Sequence, residues 1–250
     1  MKPKEPITIW CLHGAVGMAA DWQEFSQLAT SLGYQVRAVD LWRFLDCCPK
    51  SLQEVGCALN AEVAACRGKH VIIGYSLGGR IALHALIDSP ALWSAAVVIS
   101  AHPGLATEAE RGMRRATDAE WSTKALRDSW QNFINEWSSQ IILKPAHAEH
   151  TNWLDKNLLV MRRKEIARSF IDWSLGAQSN LLALLPSISC PVAWFTGEYD
   201  TKFTDIARTT VPYIPQGSLQ VIESAGHRVP WDQPAVFSQL VADFLATQVK

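Results

Sequence analysis

The chain has 250 residues, 48% hydrophobic and 19% charged, which is ample for a packed core and excludes a largely disordered chain. Its 23 basic residues nearly balance its 24 acidic ones, so no bulk field marks nucleic acid or an anionic membrane surface as a partner. No apolar run approaches the ~20 residues that cross a bilayer, and MKPKEP leads into a strand without a signal-peptide apolar region, which gives the expectation of a cytoplasmic protein without membrane insertion.

Taken in chain order, short apolar strands are expected at Ile7–Leu12, Tyr34–Asp40, His70–Tyr75 and Ala95–Ser100. Helical patterns lie between them at Ala20–Ser31, Leu52–Arg67 and Leu77–Asp88. Strands alternating with helices imply a mainly parallel sheet covered on both faces, an α/β fold. The alternation then stops. From Leu105 to Ala183 the pattern is helical and rich in Trp and Arg. Strands resume at Pro191–Gly197 and Ser218–Glu223, and a helix from Pro234 to Ala246 ends the chain. This order predicts a core made of residues 1–104 and 184–250, with residues 105–183 forming a helical cap over the edge of the sheet. The six cysteines, at 11, 47, 48, 57, 66 and 190, show neither a CxxC pair nor metal-like spacing with histidine. Free thiols in a reducing compartment are expected, and no metal or organic cofactor is implied. Nothing in the sequence bears on oligomeric state.

Gly74-Tyr75-Ser76-Leu77-Gly78 falls between a strand and a helix. In that position Gly-x-Ser-x-Gly holds a serine in a strained turn with its hydroxyl exposed. A serine hydroxyl becomes a nucleophile or base only when an imidazole takes its proton, and the imidazole needs an acid to fix its tautomer. Asp200 follows the strand ending at Gly197, and His227 follows the last strand, so Ser76, Asp200 and His227 each lie just past a strand end. Glu198 and Asp205 are further candidates for the acid. An oxyanion hole needs two backbone N–H donors. Leu77, next after the serine, would supply one, and the turn Cys11-Leu12-His13-Gly14-Ala15 points to the N–H of Ala15 for the other.

With these residues in place the chain resembles the α/β-hydrolase superfamily from end to end, as an α/β-hydrolase fold with its cap inserted before the acid-bearing strand. More narrowly it is similar to the 2-succinyl-6-hydroxy-2,4-cyclohexadiene-1-carboxylate synthase family of menaquinone biosynthesis. The likeness rests on His13-Gly14 with Gly17 and Trp22, on Gly74 to Arg80, and on His102-Pro103-Gly104-Leu105 with Arg111, Arg114 and Trp121. It continues through Glu136-Trp137, Met161-Arg162, Gly197 to Phe203 and Ala225-Gly226-His227.

The resemblance implies a lyase that abstracts a ring proton and eliminates pyruvate from the enolpyruvyl ether of a small-molecule tricarboxylate, with Ser76 as base. It also implies substrate contacts from Tyr75, Arg80, Arg114, Trp137 and Arg162, since guanidinium matches carboxylate in bidentate geometry. Plainer alternatives are that Arg80 pairs with a neighbouring acid at the surface and that Arg111, Arg114 and Arg115 line a solvated helix face balanced by Glu108 and Glu110, while Arg163 beside Arg162 leaves the register there open. The same triad also serves a carboxylesterase or thioesterase acting through a Ser76 acyl-enzyme. A binding protein with no catalysis would have no use for all three triad residues. One segment departs from the family: relatives carry Pro-Gly-His-Gly after the Val39-Asp40 position, where this chain has Leu-Trp-Arg-Phe-Leu-Asp-Cys-Cys-Pro. That loop borders the pocket in related folds, so its bulky replacement bears on substrate identity.

Overall fold

Apolar residues on both faces of a strand require cover on both sides, and three strands of this chain carry them. β3 (Lys69–Tyr75), β4 (Ala95–Ile99) and β5 (Val192–Gly197) are buried almost throughout. A computed structural model, describing residues 5–146 and 155–249, places them at the centre of a six-stranded parallel sheet. β1 (Ile7–Leu12) pairs with β3, and the edges are β2 (Gln35–Val39) and β6 (Gly217–Ile222), giving the order β2-β1-β3-β4-β5-β6. In both edge strands only the last residue is buried, as a strand with one neighbour allows.

Alternate side chains divide the core in two. Ile9, Cys11, Val71 and Ile73 pack with Trp22, Phe25 and Phe237 beneath α1 (Gln23–Ser31) and α9 (Pro234–Gln248). Trp10, Leu12 and Ile72 face the other way, onto α2 (Leu52–Ala64) and α3 (Leu77–Asp88). Each helix starts where its sequence allows. α2 opens with a capping box in which Ser51 Oγ accepts from the Glu54 N–H and Glu54 Oε2 accepts from the Ser51 N–H (2.7 Å). It ends at Ala64, three residues short of the expected Arg67, because the chain must turn through Gly68 at φ 102°. A Cβ there would lie 2.2 Å from the Pro6 carbonyl oxygen.

Between β4 and β5 the described residues hold no strand. α4 (Glu108–Arg127) opens with a second capping box, Thr107 with Glu110. α5 (Trp130–Ser139) and α6 (Arg163–Asp172) follow. Trp121 of α4, Phe133 and Trp137 of α5 and Phe170 of α6 form one aromatic cluster with centroids 5.1–6.4 Å apart, each pair contributing about 0.5–1.5 kcal/mol beyond its buried area. Arg163 adds a polar tie, donating to the carbonyls of Ala125 and Asp128 at the end of α4. After β5 come α7 (Thr201–Thr210) and a short α8 (Val229–Asp232) that the sequence reading did not anticipate. No helix among the described residues is long and apolar enough to cross a membrane, and all six cysteines are free.

Candidate active site

Ser76 joins β3 to α3 at φ 51°, ψ −109°. For a residue with a Cβ that conformation costs of order 1–3 kcal/mol, and the surroundings enforce it. A Cβ on Gly74 would sit 2.4 Å from the Gly78 carbonyl oxygen, and one on Gly78 2.3 Å from that of Leu12. Strand and helix therefore meet as closely as glycine permits, which leaves the serine at the apex. Its N–H donates to the Ile99 carbonyl of β4 (2.8 Å), and its own carbonyl accepts from the Arg80 N–H (3.1 Å).

His227 Nε2 lies 3.1 Å from Ser76 Oγ, and His227 Nδ1 lies 2.7 Å from Asp200 Oδ2. Both the imidazole and the carboxylate are buried. The second oxygen of Asp200 caps α7, accepting from the Phe203 N–H at 3.5 Å. The loop bearing His227 is held by Asp232, whose Oδ2 accepts from the Gly226 N–H (2.9 Å). The ring lies between Phe203 and Tyr75, at centroid distances of 4.5 and 5.5 Å. Glu198 and Asp205 stand elsewhere: Glu198 accepts from the Ser224 N–H, and Asp205 pairs with Arg208 on the surface.

Leu77 is the first residue of α3, so its N–H has no carbonyl within the helix to bond. Ala15 is positioned indirectly, through His13. His13 Nε2 accepts from the Leu41 N–H (3.1 Å), which leaves the ring proton on Nδ1, 2.9 Å from the Gly14 carbonyl oxygen. Burial pushes this imidazole down to about 4, so it stays neutral. The Gly14 oxygen also accepts from the Gly17 N–H (3.1 Å). A trans peptide points its C=O and its N–H in opposite directions, so fixing the Gly14 oxygen aims the Ala15 N–H away from His13.

A cavity of about 300 Å³ opens in front of Ser76 and His227, with Ala15, Leu77, Tyr75 and Trp137 in its walls. Arg80 reaches it from the first turn of α3. Its Nε donates to Gln178 Oε1 (2.6 Å) and its Nη2 to the Trp173 carbonyl (2.8 Å). Both acceptors are neutral, and burial followed by the nearby Arg114 pushes its guanidinium down to about 9. Arg114, on α4, also lines the cavity but is shared: its Nε lies 2.9 Å from both oxygens of Asp118.

Arg162 has other partners. It donates to Asp40 Oδ2 (2.7 Å) and Asp46 Oδ1 (2.8 Å) and is absent from the cavity wall. The substituted loop, which follows Asp40 and supplies Asp46, does not border the cavity either, contrary to the expectation from related folds. Its apolar residues, Leu41, Trp42, Phe44 and Leu45, are buried. Trp42 stacks on Trp173 of the insert (6.0 Å, 17° between planes) and donates Nε1–H to the Gly17 carbonyl (2.8 Å). The loop is a strut from the turn that bears Ala15 to the helical insert, and its bulk serves packing.

Among the cavity residues to which sequence reasoning gave no role are Ser100, His102 and Lys202. Lys202 was within reach, being two residues past Asp200 on the first turn of α7. Ser100 carries no pattern that a sequence displays. Among the described residues no three His, Cys, Asp or Glu side chains converge as metal ligands would.

A family model described as the alpha/beta hydrolase family matches residues 11–240. The chain belongs to that family. Within it, the chain is 30% identical over 183 residues to the 2-succinyl-6-hydroxy-2,4-cyclohexadiene-1-carboxylate synthase of Klebsiella pneumoniae, an alignment covering 72% of this chain and 69% of the relative. It is 27% identical over 256 residues, 98% of this chain and 99% of the relative, to a protein of Haemophilus influenzae described as putatively the same synthase. The solved structure of MenH from S. aureus matches with a TM-score of 0.83 over 99% of this chain and 96% of that chain, at 21% identity, a likeness of fold.

Proposed function

We propose that the protein is a cytoplasmic lyase of menaquinone biosynthesis that eliminates pyruvate from 2-succinyl-5-enolpyruvyl-6-hydroxy-3-cyclohexene-1-carboxylate. In this reading His227 takes the Ser76 hydroxyl proton, and Ser76 Oγ removes a ring proton from the substrate. The electron pair released moves through the ring and expels the enolpyruvyl oxygen, so that the ether C–O bond breaks and enolpyruvate leaves; it takes up a proton at its methylene carbon, balancing the one that His227 gained, and becomes pyruvate. Asp200 holds the imidazole tautomer and stabilises the imidazolium. The N–H groups of Ala15 and Leu77 stabilise the charge that develops on the substrate, and Tyr75 and Trp137 pack against its ring.

The observation that carries the reading is Arg80, a buried guanidinium at the mouth of the serine turn, hydrogen-bonded only to neutral oxygens among the described residues. A buried charge is costly unless it is fully paired; Asp118, the acid of the same wall, is bonded to Arg114 rather than to Arg80, and a substrate carboxylate would offset that cost. Arg114 adds a second cation to the same wall. Ester and thioester hydrolysis use the same serine, histidine and oxyanion donors but have no need of such a cation.

Pyruvate release from the enolpyruvyl cyclohexene tricarboxylate, wild type against Ser76→Ala, tests the reading. Release that disappears in the variant supports it. A folded wild-type protein that releases no pyruvate but is acylated at Ser76 by an activated ester would make it an esterase or thioesterase.

A further inference from the structure

Beside Asp118, which is bonded to Arg114, the cavity wall holds cationic and uncharged polar groups. Arg80, Arg114 and Lys202 are cationic, and the chain leaving β4 adds two uncharged ones, Ser100 and His102. Ser100 stands beside the serine turn, since β3 and β4 pair Tyr75 with Ile99. Its backbone is held at φ 46°, and its N–H donates to the Phe195 carbonyl at 2.9 Å. The residue is fully buried, and its Oγ has no hydrogen-bond partner among the described residues. A hydroxyl left so costs about 1–3 kcal/mol, and the positive φ adds a similar amount. Two costs at one residue of a cavity wall are characteristic of a group that waits for a ligand.

His102 complements it. Its Nδ1 accepts from the Gly104 N–H at 3.0 Å, so the neutral ring carries its proton on Nε2. The ring stays neutral because burial, and then Arg80 and Lys202, push it down to about 4. Gln178, which receives the Arg80 Nε–H, donates to the His102 carbonyl at 3.4 Å. The imidazole meets Phe203 edge-on at 6.4 Å, and Phe203 lies against His227. Position and tautomer are thus both fixed.

We propose that Ser100 Oγ and His102 Nε2–H form an uncharged subsite that holds a hydroxyl group of the substrate while the cations of the same wall take its carboxylates. A hydroxyl fits this pair because it accepts from Nε2–H and exchanges a second hydrogen bond with Ser100 Oγ, which donates or accepts. A carboxylate is better served by the guanidinium groups nearby. A pocket built to hydrogen-bond a hydroxyl also rejects the analogue that lacks it, because its own polar groups are then left unpaired. The proposal rests on the reading of the cavity as a site for a carboxylate-bearing substrate.

The test compares two ligands, 2-succinyl-6-hydroxy-2,4-cyclohexadiene-1-carboxylate and its 6-deoxy analogue, bound to the Ser76→Ala protein and followed by fluorescence of the cavity tryptophans. The hydroxylated ligand should bind about 10- to 100-fold more tightly. That preference should shrink to within about twofold in Ser76→Ala/Ser100→Ala, which keeps the Cβ and the backbone conformation. It should shrink equally in Ser76→Ala/His102→Asn, whose amide oxygen still accepts from the Gly104 N–H but whose side chain lacks the Nε2–H. Equal binding of the two ligands, binding of neither, or a preference that survives both substitutions overturns the subsite. Pyruvate release by the wild-type protein is scored separately. No pyruvate together with a hydroxyl preference that the variants abolish would defeat the lyase reading and leave the subsite standing, and pyruvate release without any preference would do the reverse.

Discussion

The sheet and the helical insert both contribute to the cavity, but they hold their side chains by different means. Ser76, Asp200 and His227 are fixed through the backbone: a positive φ, a helix cap, and a loop pinned by the Gly226 N–H to Asp232. Arg114, Trp137 and Arg162 hang from elements held by side chains, namely an aromatic cluster and ion pairs with Asp118, Asp40 and Asp46. Backbone constraints leave one arrangement, whereas a long side chain on a helix chooses among the partners within reach. The sheet half is therefore the rigid part of the candidate site, and the insert is a wall whose contacts can be exchanged.

The largest effect expected is in the sheet half. Ser76→Ala or His227→Ala should lower pyruvate release by several orders of magnitude, on the order of the 10⁶ seen when such a residue is removed from a triad. Thermal unfolding should change little. A rate loss accompanied by a collapse in Tm would show that the two residues hold the fold, and would blur the contrast between rigid centre and adaptable wall.

Arg80 comes next. Arg80→Met should cost about 2–5 kcal/mol of transition-state binding, read as a fall in kcat/KM, with Tm unchanged or higher because a buried cation with no hydrogen bond to an acid has been removed. A clear drop in Tm with normal kcat/KM would make it a structural residue and remove the main support for a carboxylate substrate.

The buried histidines test the rigid half through pH. His13, His84 and His102 are each pushed down to about 4, with burial the first cause. Between about pH 6.5 and 4 the unfolded chain takes up protons at these rings and the folded one does not, so stability is full near neutrality and falls as pH drops through that window. By linkage each contributes roughly 2 kcal/mol of loss between pH 7 and 5. Urea unfolding at the two values checks the total, and His84→Leu should flatten the slope. A pH-independent midpoint would mean that the rings are protonated without cost.

The smallest effect belongs to the insert. Arg162→Ala breaks two partly exposed ion pairs and should cost about 1 kcal/mol or less in stability, with a change in kcat/KM much smaller than that of Arg80→Met. Arg114→Ala should fall between the two, because its guanidinium is divided between Asp118 and the cavity. If Arg162→Ala matched Arg80→Met, the insert would have to rearrange on binding and bring that guanidinium inside.

The parallel sheet, the serine turn and the order of serine, acid and histidine were readable from the sequence because each rests on a local rule. Apolar runs of strand length need cover on two faces, Gly74 and Gly78 permit a contact that no other residue allows, and functional groups cluster beyond the carboxyl ends of parallel strands. Only the tertiary structure decided which charges meet. The substituted loop after Asp40 became a strut under the insert and took Arg162 with it, while Arg80 was left facing the cavity with no hydrogen bond to an acid. Ser100 and His102 acquired their places from the way β4 passes the serine turn. Partners in these cases lie as far as 122 residues away in the chain, as Arg162 does from Asp40. Local sequence fixes backbone conformation over a few residues, but the pairing of long side chains is settled only when distant segments compete for the same charge in the folded protein.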